Sequence, residues 1–474
     1  MYSEKKTINA YCDDVLGTRD GVELAALIAA GEIQVSEVVE AAIARARKVN
    51  SALNAIVTET FEQARNQYKV MPCGFLAGVP SFIKDNENVS GVPTLIGSRA
   101  LPNKPVNVSS NFVKQFLSVG LVSLGKTTLP EFGLTATTES LATGATHNPW
   151  NLDYSTGGSS GGSAALVSAG VVPLAHGNDG GGSLRIPAAC CGLIGLKPSQ
   201  GRLADAVGTE MMPINIVSNG VISRSVRDTA AFYAAVEKNY PNPKLPEIGL
   251  VQHPGKKRLR IGLFTDTPYK TSSHTDTVAV TVDTGKLCED LGHHVAEISC
   301  PFKAQVLEDF ILYWGMLAFF IHHFGKSLFK IEFDKKKLES WTIGLSCFFR
   351  KKFLKTPFII RRLKKFSHEY ENIFADYDIL VCPTLSHAPP KIGYLGPEIS
   401  FETHFERIRQ YVAFTPIQNT SGAPAISLPM GFSRNGLPIG IQFAAPYGQE
   451  KRLLELAFEL EEARPWPLVG QQYA

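Results

Sequence analysis

Apolar positions near the N-terminus recur at helical spacing. Asp20 and Glu23 have the pattern of a capping box that opens a helix through Ala29, and Gly31 closes it. Behind Ser36, the expected N-cap, Val38, Val39, Ala42, Ile43 and Ala46 keep to one face of a second helix. Further along, short apolar runs bounded by Gly and Pro predict strands at 78–84, 121–124, 259–264 and 295–298, and helices at 111–119 and 277–291. Strand, helix and strand at 259–298 make a βαβ unit. Pro241, Pro243, Pro246 and Pro254 mark a surface connection, and residues 148–156 read as loop. No repeat is visible. The alternation favours an α/β fold with one continuous sheet rather than separate domains.

Composition adds bounds. With 44% apolar and 19% charged residues over 474 positions the chain is globular. Its net charge of +3 does not suggest nucleic acid as a default partner. The charge is uneven, however. Residues 326–365 carry thirteen Lys or Arg against Glu332, Asp334 and Glu339, a local +10 that leaves −7 for the rest. They fall in a Phe-rich segment, 306–366, expected to form a helical lid or substrate entrance. Two readings stand for it: a solvated face whose lysines reach over buried Phe, or a surface that meets anionic membranes or greasy substrates. Residues 1–16 lack an apolar signal core, and the longest apolar run, 310–321, is twelve residues. A bilayer span needs roughly 20, so a cytoplasmic location is expected. The eight cysteines form no CxxC pair or metal-ligand spacing, so no metal is expected, and Cys190 and Cys191 read as small buried hydrophobes.

Three glycine-rich segments compete as candidate chemistry. Gly120 to Thr127 satisfies the GxxxxGK[ST] expression, but its interior LVSL reads as a buried strand and Pro130 interrupts any following helix, so a phosphate loop is disfavoured. Gly157 to Ser163, GGSSGGS, contains GxSxG centred on Ser159 and on Ser160 and reads as a turn whose helix begins near Ser163. Asp179-Gly180-Gly181-Gly182-Ser183 places three glycines before a serine. That lets backbone N–H groups converge where negative charge develops, and a plain glycine turn is the competing reading. The eleven histidines are scattered, which leaves Ser-His-Asp chemistry without an anchor. A serine hydrolase without histidine needs another base, and Lys84, at the end of an apolar strand, is a candidate once desolvated.

Taken together, Lys84, GGSSGGS at 157–163 and DGGGSLRIPAACCGLIGLKP at 179–198 resemble the amidase signature family. The separations Lys84 to Ser159, 75 residues, and Ser159 to Ser183, 24 residues, are similar to that family's pattern. So are GVPSFIKDN at 78–86, LGKTTLPEF at 124–132, NPWN at 148–151, SRSVRD at 223–228, NTSGAPAISLPMG at 419–431 and GLPIGIQF at 436–443. The resemblance implies one domain over 1–474 with a signature core at 80–202, built as a central mixed, twisted sheet covered by helices on both faces. It implies that Ser183 is the nucleophile, Ser159 the proton bridge and Lys84 the base. It further implies a cis peptide between Gly158 and Ser159, an oxyanion hole from the N–H groups of Gly180, Gly181, Gly182 and Ser183, and support from Ser160, Asp179 and Arg185. No cofactor is implied.

Departures point to a branch. Asn178 and Gly180 stand where many members carry Thr and Thr or Ile, and HGND at 176–179 is closer to bacterial amidases and the hydrolase of cyclic nylon-oligomer dimers. Gly180 removes a side chain beside the loop, leaving room for a bulkier acyl group. The expected partner is a small-molecule amide, acted on by a monomer or homodimer. The glutaminase-type A subunit of a tRNA-dependent amidotransferase and a fatty acid amide or ester hydrolase at membrane surfaces are the alternatives within the family. A nucleotide- or lipid-binding module is the alternative outside it.

Overall fold

A computed structural model describes residues 6–67 and 73–471. The first five residues of the opening stretch therefore lie outside the described residues. The helix Gly21–Ala29 starts at Asp20, whose carboxylate accepts the Glu23 N–H, as the pattern predicts. The next helix, Val35–Leu53, begins before Ser36. Its cap is Gln34, whose N–H donates to the Glu37 carboxylate at 2.8 Å, so a reciprocal bond from the first turn outweighs the serine's own propensity. Residues 148–156 also differ from expectation. His147–Asn148 pairs with Asn151–Ser155 as a short hairpin, tightened by the Asn148 side chain donating to Ser155 O.

Eight strands form the larger, mixed sheet. Their spatial order is His294–Glu297, Arg260–Leu263, Ile379–Pro383, Pro438–Ala444, Ala425–Phe432, Ile194–Lys197, Ser218–Ser223 and Leu174–Asp179. The first two are parallel around helix Thr275–Asp290, completing the βαβ unit. Ile56–Glu59, Val122–Thr127 and Pro80–Lys84 form a second sheet. The expected single sheet is thus two ladders. They meet where Pro80–Lys84 runs beside Leu174–Asp179, joined there by side chains rather than by backbone pairing. One apolar core runs through both.

The sequence 120–127 has its main chain in the strand Val122–Thr127, and Lys126 is buried against Asp85 at 2.6 Å. Its N–H groups and its cation are committed, so nothing there is left for phosphate. Residues 306–366 belong to three packed helices, Ala304–Phe329, Ser340–Arg350 and Thr356–Asn372. The first is the one helix among the described residues long and apolar enough to cross a membrane, by length and composition, with mean hydropathy 1.4. Half of that window is nevertheless buried, and its inner face walls the candidate site.

Candidate active site

The seam between the two ladders positions the amine. Ser81 Oγ donates to Leu174 O at 2.9 Å, and the Lys84 N–H donates to His176 Nδ1 at 3.1 Å. An imidazole thus stands in for a missing strand carbonyl. His176 Nδ1 being the acceptor, Nε2 carries the hydrogen and donates to Asn219 Oδ1 at 3.3 Å. Burial pulls His176 down to about 3, so it stays neutral and serves the lysine's backbone rather than the amine.

The Lys84 side chain is wholly buried. Desolvation drives its pKa well below the usual lysine value, and the Asp179 charge only partly opposes this. Nζ lies 2.6 Å from Ser159 Oγ, 3.0 Å from Ser160 Oγ and 2.5 Å from Asn178 Oδ1. These neighbours fix where a neutral amine points its lone pair. Asn178 Oδ1 can only accept. Ser160 Oγ donates to Asn178 O at 3.3 Å, so towards the lysine it too must accept. Both amine hydrogens are then committed, and the lone pair faces the Ser159 hydroxyl. Once protonated, the amine finds three acceptors in the same neighbours. The peptide joining Gly158 to Ser159 is cis, as the resemblance implies.

Asp179 and Arg185 hold the glycine loop. Asp179 accepts the N–H groups of Gly182 at 2.7 Å and Leu184 at 3.2 Å, and takes a two-pronged contact from Arg185 at 2.9 Å per prong. Burial alone would raise its carboxyl; the Arg185 guanidinium overrides this and brings it down to about 2. Arg185 also donates to Gln418, Asn419 and Gln442. Asn419 Nδ2 holds Asp179 O at 2.8 Å, and Thr415 Oγ1 holds Gly181 O at 2.7 Å. With these carbonyls turned outward, the N–H groups of Gly180, Gly181 and Ser183 have no partner among the described residues. Gly182 does not belong with them: its N–H is spent on Asp179, so the expected four donors reduce to three. Its φ of +127°, with a Cβ position 2.3 Å from Thr415 Oγ1, requires glycine. Arg185→Met should destabilise the fold by about 3–5 kcal/mol, because Asp179 would stay buried and unpaired. Denaturant unfolding measures this.

Ser183 lines a pocket that is partly open to solvent, and its hydroxyl makes no hydrogen bond among the described residues. Leu134, Leu307, Phe310, Trp314, Trp341 and Val412 are among the apolar side chains of its wall. Both indole N–H groups donate to one carbonyl, Leu134 O, at 3.1 and 2.9 Å, while Trp314 stacks on Phe310 and Trp341 on His404, so the polar atoms of both rings are satisfied within an apolar wall. The lone charge in the lining, Arg409, is engaged by Glu308 and Glu406 and lies over Tyr269. The space beside Gly180 is not free for substrate as expected. Trp314 occupies it: a Cβ on Gly180 would sit 3.3 Å from that ring, and one on Gly181 3.1 Å from Phe310.

Hydroxyls backed by a desolvated amine, beside free N–H groups, belong to acyl-transfer chemistry. The chain belongs to the Amidase family, whose pattern it matches over residues 37–454, and the reaction class is hydrolysis of an amide C–N bond. It is 46% identical to the candidate amidase AmiC of Mycobacterium leprae, over 97% of this chain and 98% of that one. It is 34% identical to the 6-aminohexanoate-cyclic-dimer hydrolase of Paenarthrobacter ureafaciens, over 94% and 95%. A solved structure of a 6-aminohexanoate cyclic dimer hydrolase superposes with a TM-score of 0.87 at 32% identity, covering 94% of this chain and 97% of that chain. A bacterial aryl acylamidase structure superposes with a TM-score of 0.81 at 25% identity, over 94% and 96%.

Sequence reasoning brought together Lys84, Ser159, Ser160, Asp179 and Arg185. It noted Asn178 only as a departure and saw no role for His176. It left Thr415 and Asn419 without one, since residues more than 230 positions from the loop carry no local signal.

Proposed function

We propose that this chain hydrolyses carboxylic amides with apolar acyl groups through an acyl-enzyme on Ser183. The observation that supports this best is the fully buried Lys84 amine, 2.6 Å from Ser159 Oγ with both of its hydrogens committed elsewhere. Neutral Lys84 takes the Ser159 proton as Ser159 takes that of Ser183. Ser183 Oγ then bonds to the amide carbon, and the oxyanion meets the N–H groups of Gly180, Gly181 and Ser183. The C–N bond breaks as the proton returns through Ser159 to the leaving amine. Water repeats the sequence on the ester, freeing the acid and restoring Ser183. The described cysteines are all unpaired, which agrees with a reducing compartment such as the cytoplasm.

A fluorophosphonate should modify Ser183, as read by peptide mass spectrometry; an adduct confined to another residue would overturn the assignment. The pocket wall makes a second outcome expected. Across a series of amides graded by acyl size, kcat/KM should rise with apolar bulk until the pocket is filled, by about threefold to fourfold per methylene. Charged acyl groups should be poor substrates.

Asn178 bears on pH. Activity should rise with pH through the lowered pKa of Lys84 and then level off. Asn178→Asp places a negative charge beside the amine, favours its protonated form and should move the acid limb to higher pH. Asn178→Ala removes an acceptor that favours the cation and should move the limb to lower pH, with kcat/KM down by about tenfold from lost orientation. Profiles of kcat/KM against pH distinguish the two.

A further inference from the structure

The three lid helices carry chemistry on their outer surface that hydrolysis leaves unused. Fourteen large apolar side chains are exposed among the described residues, and six of them fall within 320–358: Phe320, Phe324, Ile331, Phe353, Leu354 and Phe358. Six of fourteen within 320–358 is a clustering along the chain, and Phe353, Leu354 and Phe358 fall within one short stretch of it. Leu354, 75% exposed, is the most open of the fourteen. With Phe353 it occupies Phe353–Lys355, a single turn that joins the last two lid helices. Helix Thr356–Asn372 buries Ile359, Leu363, Phe366 and Tyr370, while Phe358, Arg361, Lys364 and Lys365 stay exposed.

The charge around this apolar turn has one sign. Residues 350–365 contain eight Lys or Arg and no Asp or Glu. Arg362 is held by Asp309 and Lys365 lies 3.5 Å from Glu369. Arg350, Lys351, Lys352, Lys355, Arg361 and Lys364 have no carboxylate partner among the described residues. A merely solvated basic face gives no reason to expose Phe353 and Leu354 at its centre. A protein-docking patch gives no reason to ring them with uncompensated cations. An anionic bilayer answers both, offering phosphates to the cations and the acyl boundary to the apolar turn. Nucleic acid would meet the cations but offers nothing to Leu354.

We propose that residues 350–365 dock this protein peripherally on an anionic membrane surface, with Phe353 and Leu354 entering the interface. The proposal stands apart from the catalytic assignment, since none of these residues lines the pocket. The test is co-sedimentation of the full chain with phosphatidylcholine vesicles, with and without phosphatidylglycerol, at low and high salt. Binding is expected on the anionic vesicles at low salt and not on phosphatidylcholine alone. Lys351→Gln/Lys352→Gln/Lys355→Gln should weaken it by about a hundredfold, at roughly fivefold per charge. Phe353→Ser/Leu354→Ser should weaken it by about tenfold and leave a remnant that high salt removes. Both variants should keep the unfolding midpoint and the turnover of a soluble amide. Absent or equal binding to the two vesicle types, or variants that bind like the parent, would overturn the proposal. So would a dimer in solution that Phe353→Ser/Leu354→Ser dissolves, since the patch would then belong to a second copy.

Discussion

Ser183→Ala is expected to lower kcat/KM by about 10⁴-fold or more, with the fold intact and fluorophosphonate labelling abolished. Ser183 combines three properties that no other serine near Lys84 shares. Its hydroxyl lines the pocket, makes no hydrogen bond among the described residues, and follows a loop in which the Gly180 and Gly181 N–H groups have no partner among those residues. Ser159 faces the amine at 2.6 Å and Ser160 is tied to Asn178, so neither can replace it as the attacking group without losing its own task. Its relative exposure is 7%, and the smaller alanine leaves only a minor gap at the pocket wall. Single-turnover kinetics and peptide mapping measure the outcome. Retention of more than a small residue of activity by the alanine variant would move the nucleophile elsewhere.

Lys84→Met is the second large effect. Turnover should fall by about 10³-fold to 10⁴-fold, because the proposed base is removed while the buried volume is nearly kept. Stability should move the other way. Desolvation holds the folded amine's pKa well below the usual value, whereas the unfolded chain binds a proton there up to about pH 10.4. The unfolded state therefore carries the extra proton between the two pKa values, and the parent grows more stable as pH rises through that range. The methionine variant lacks this dependence. It should be the more stable protein at neutral pH, and the gap should close by about 1.4 kcal/mol per pH unit towards pH 10. Urea unfolding of both proteins at several pH values checks this. Parallel curves would mean that Lys84 is charged in the folded state, and the proposed base would be lost.

Where the determinants were local, the fold was legible in the sequence. Asp20 caps its helix through a residue three positions away, and the βαβ unit at 259–298 follows from alternating apolar runs. The chemistry-bearing residues were legible as types because a glycine lattice and an apolar strand ending in lysine are unusual together. What failed was tertiary. Ser36 has the propensity of a cap, but Glu37 secures Gln34 instead. Gly180 looked like room for substrate, until a tryptophan from 134 positions away filled it. Gly182 looked like an oxyanion donor, but Asp179 turned back to claim it. Asn178 and His176 acquire their tasks only when two separate ladders meet, and no pattern within one strand announces that contact.

That meeting has a further result. The proposed base comes from one hydrogen-bonded ladder and the loop of the proposed nucleophile from the edge of the other, so their alignment rests on the side-chain bonds across the join and on the apolar core the two ladders share. Mild heat that slips the small ladder outward would silence the enzyme while nearly all its helices and strands persisted, making activity a more sensitive thermometer of this fold than circular dichroism.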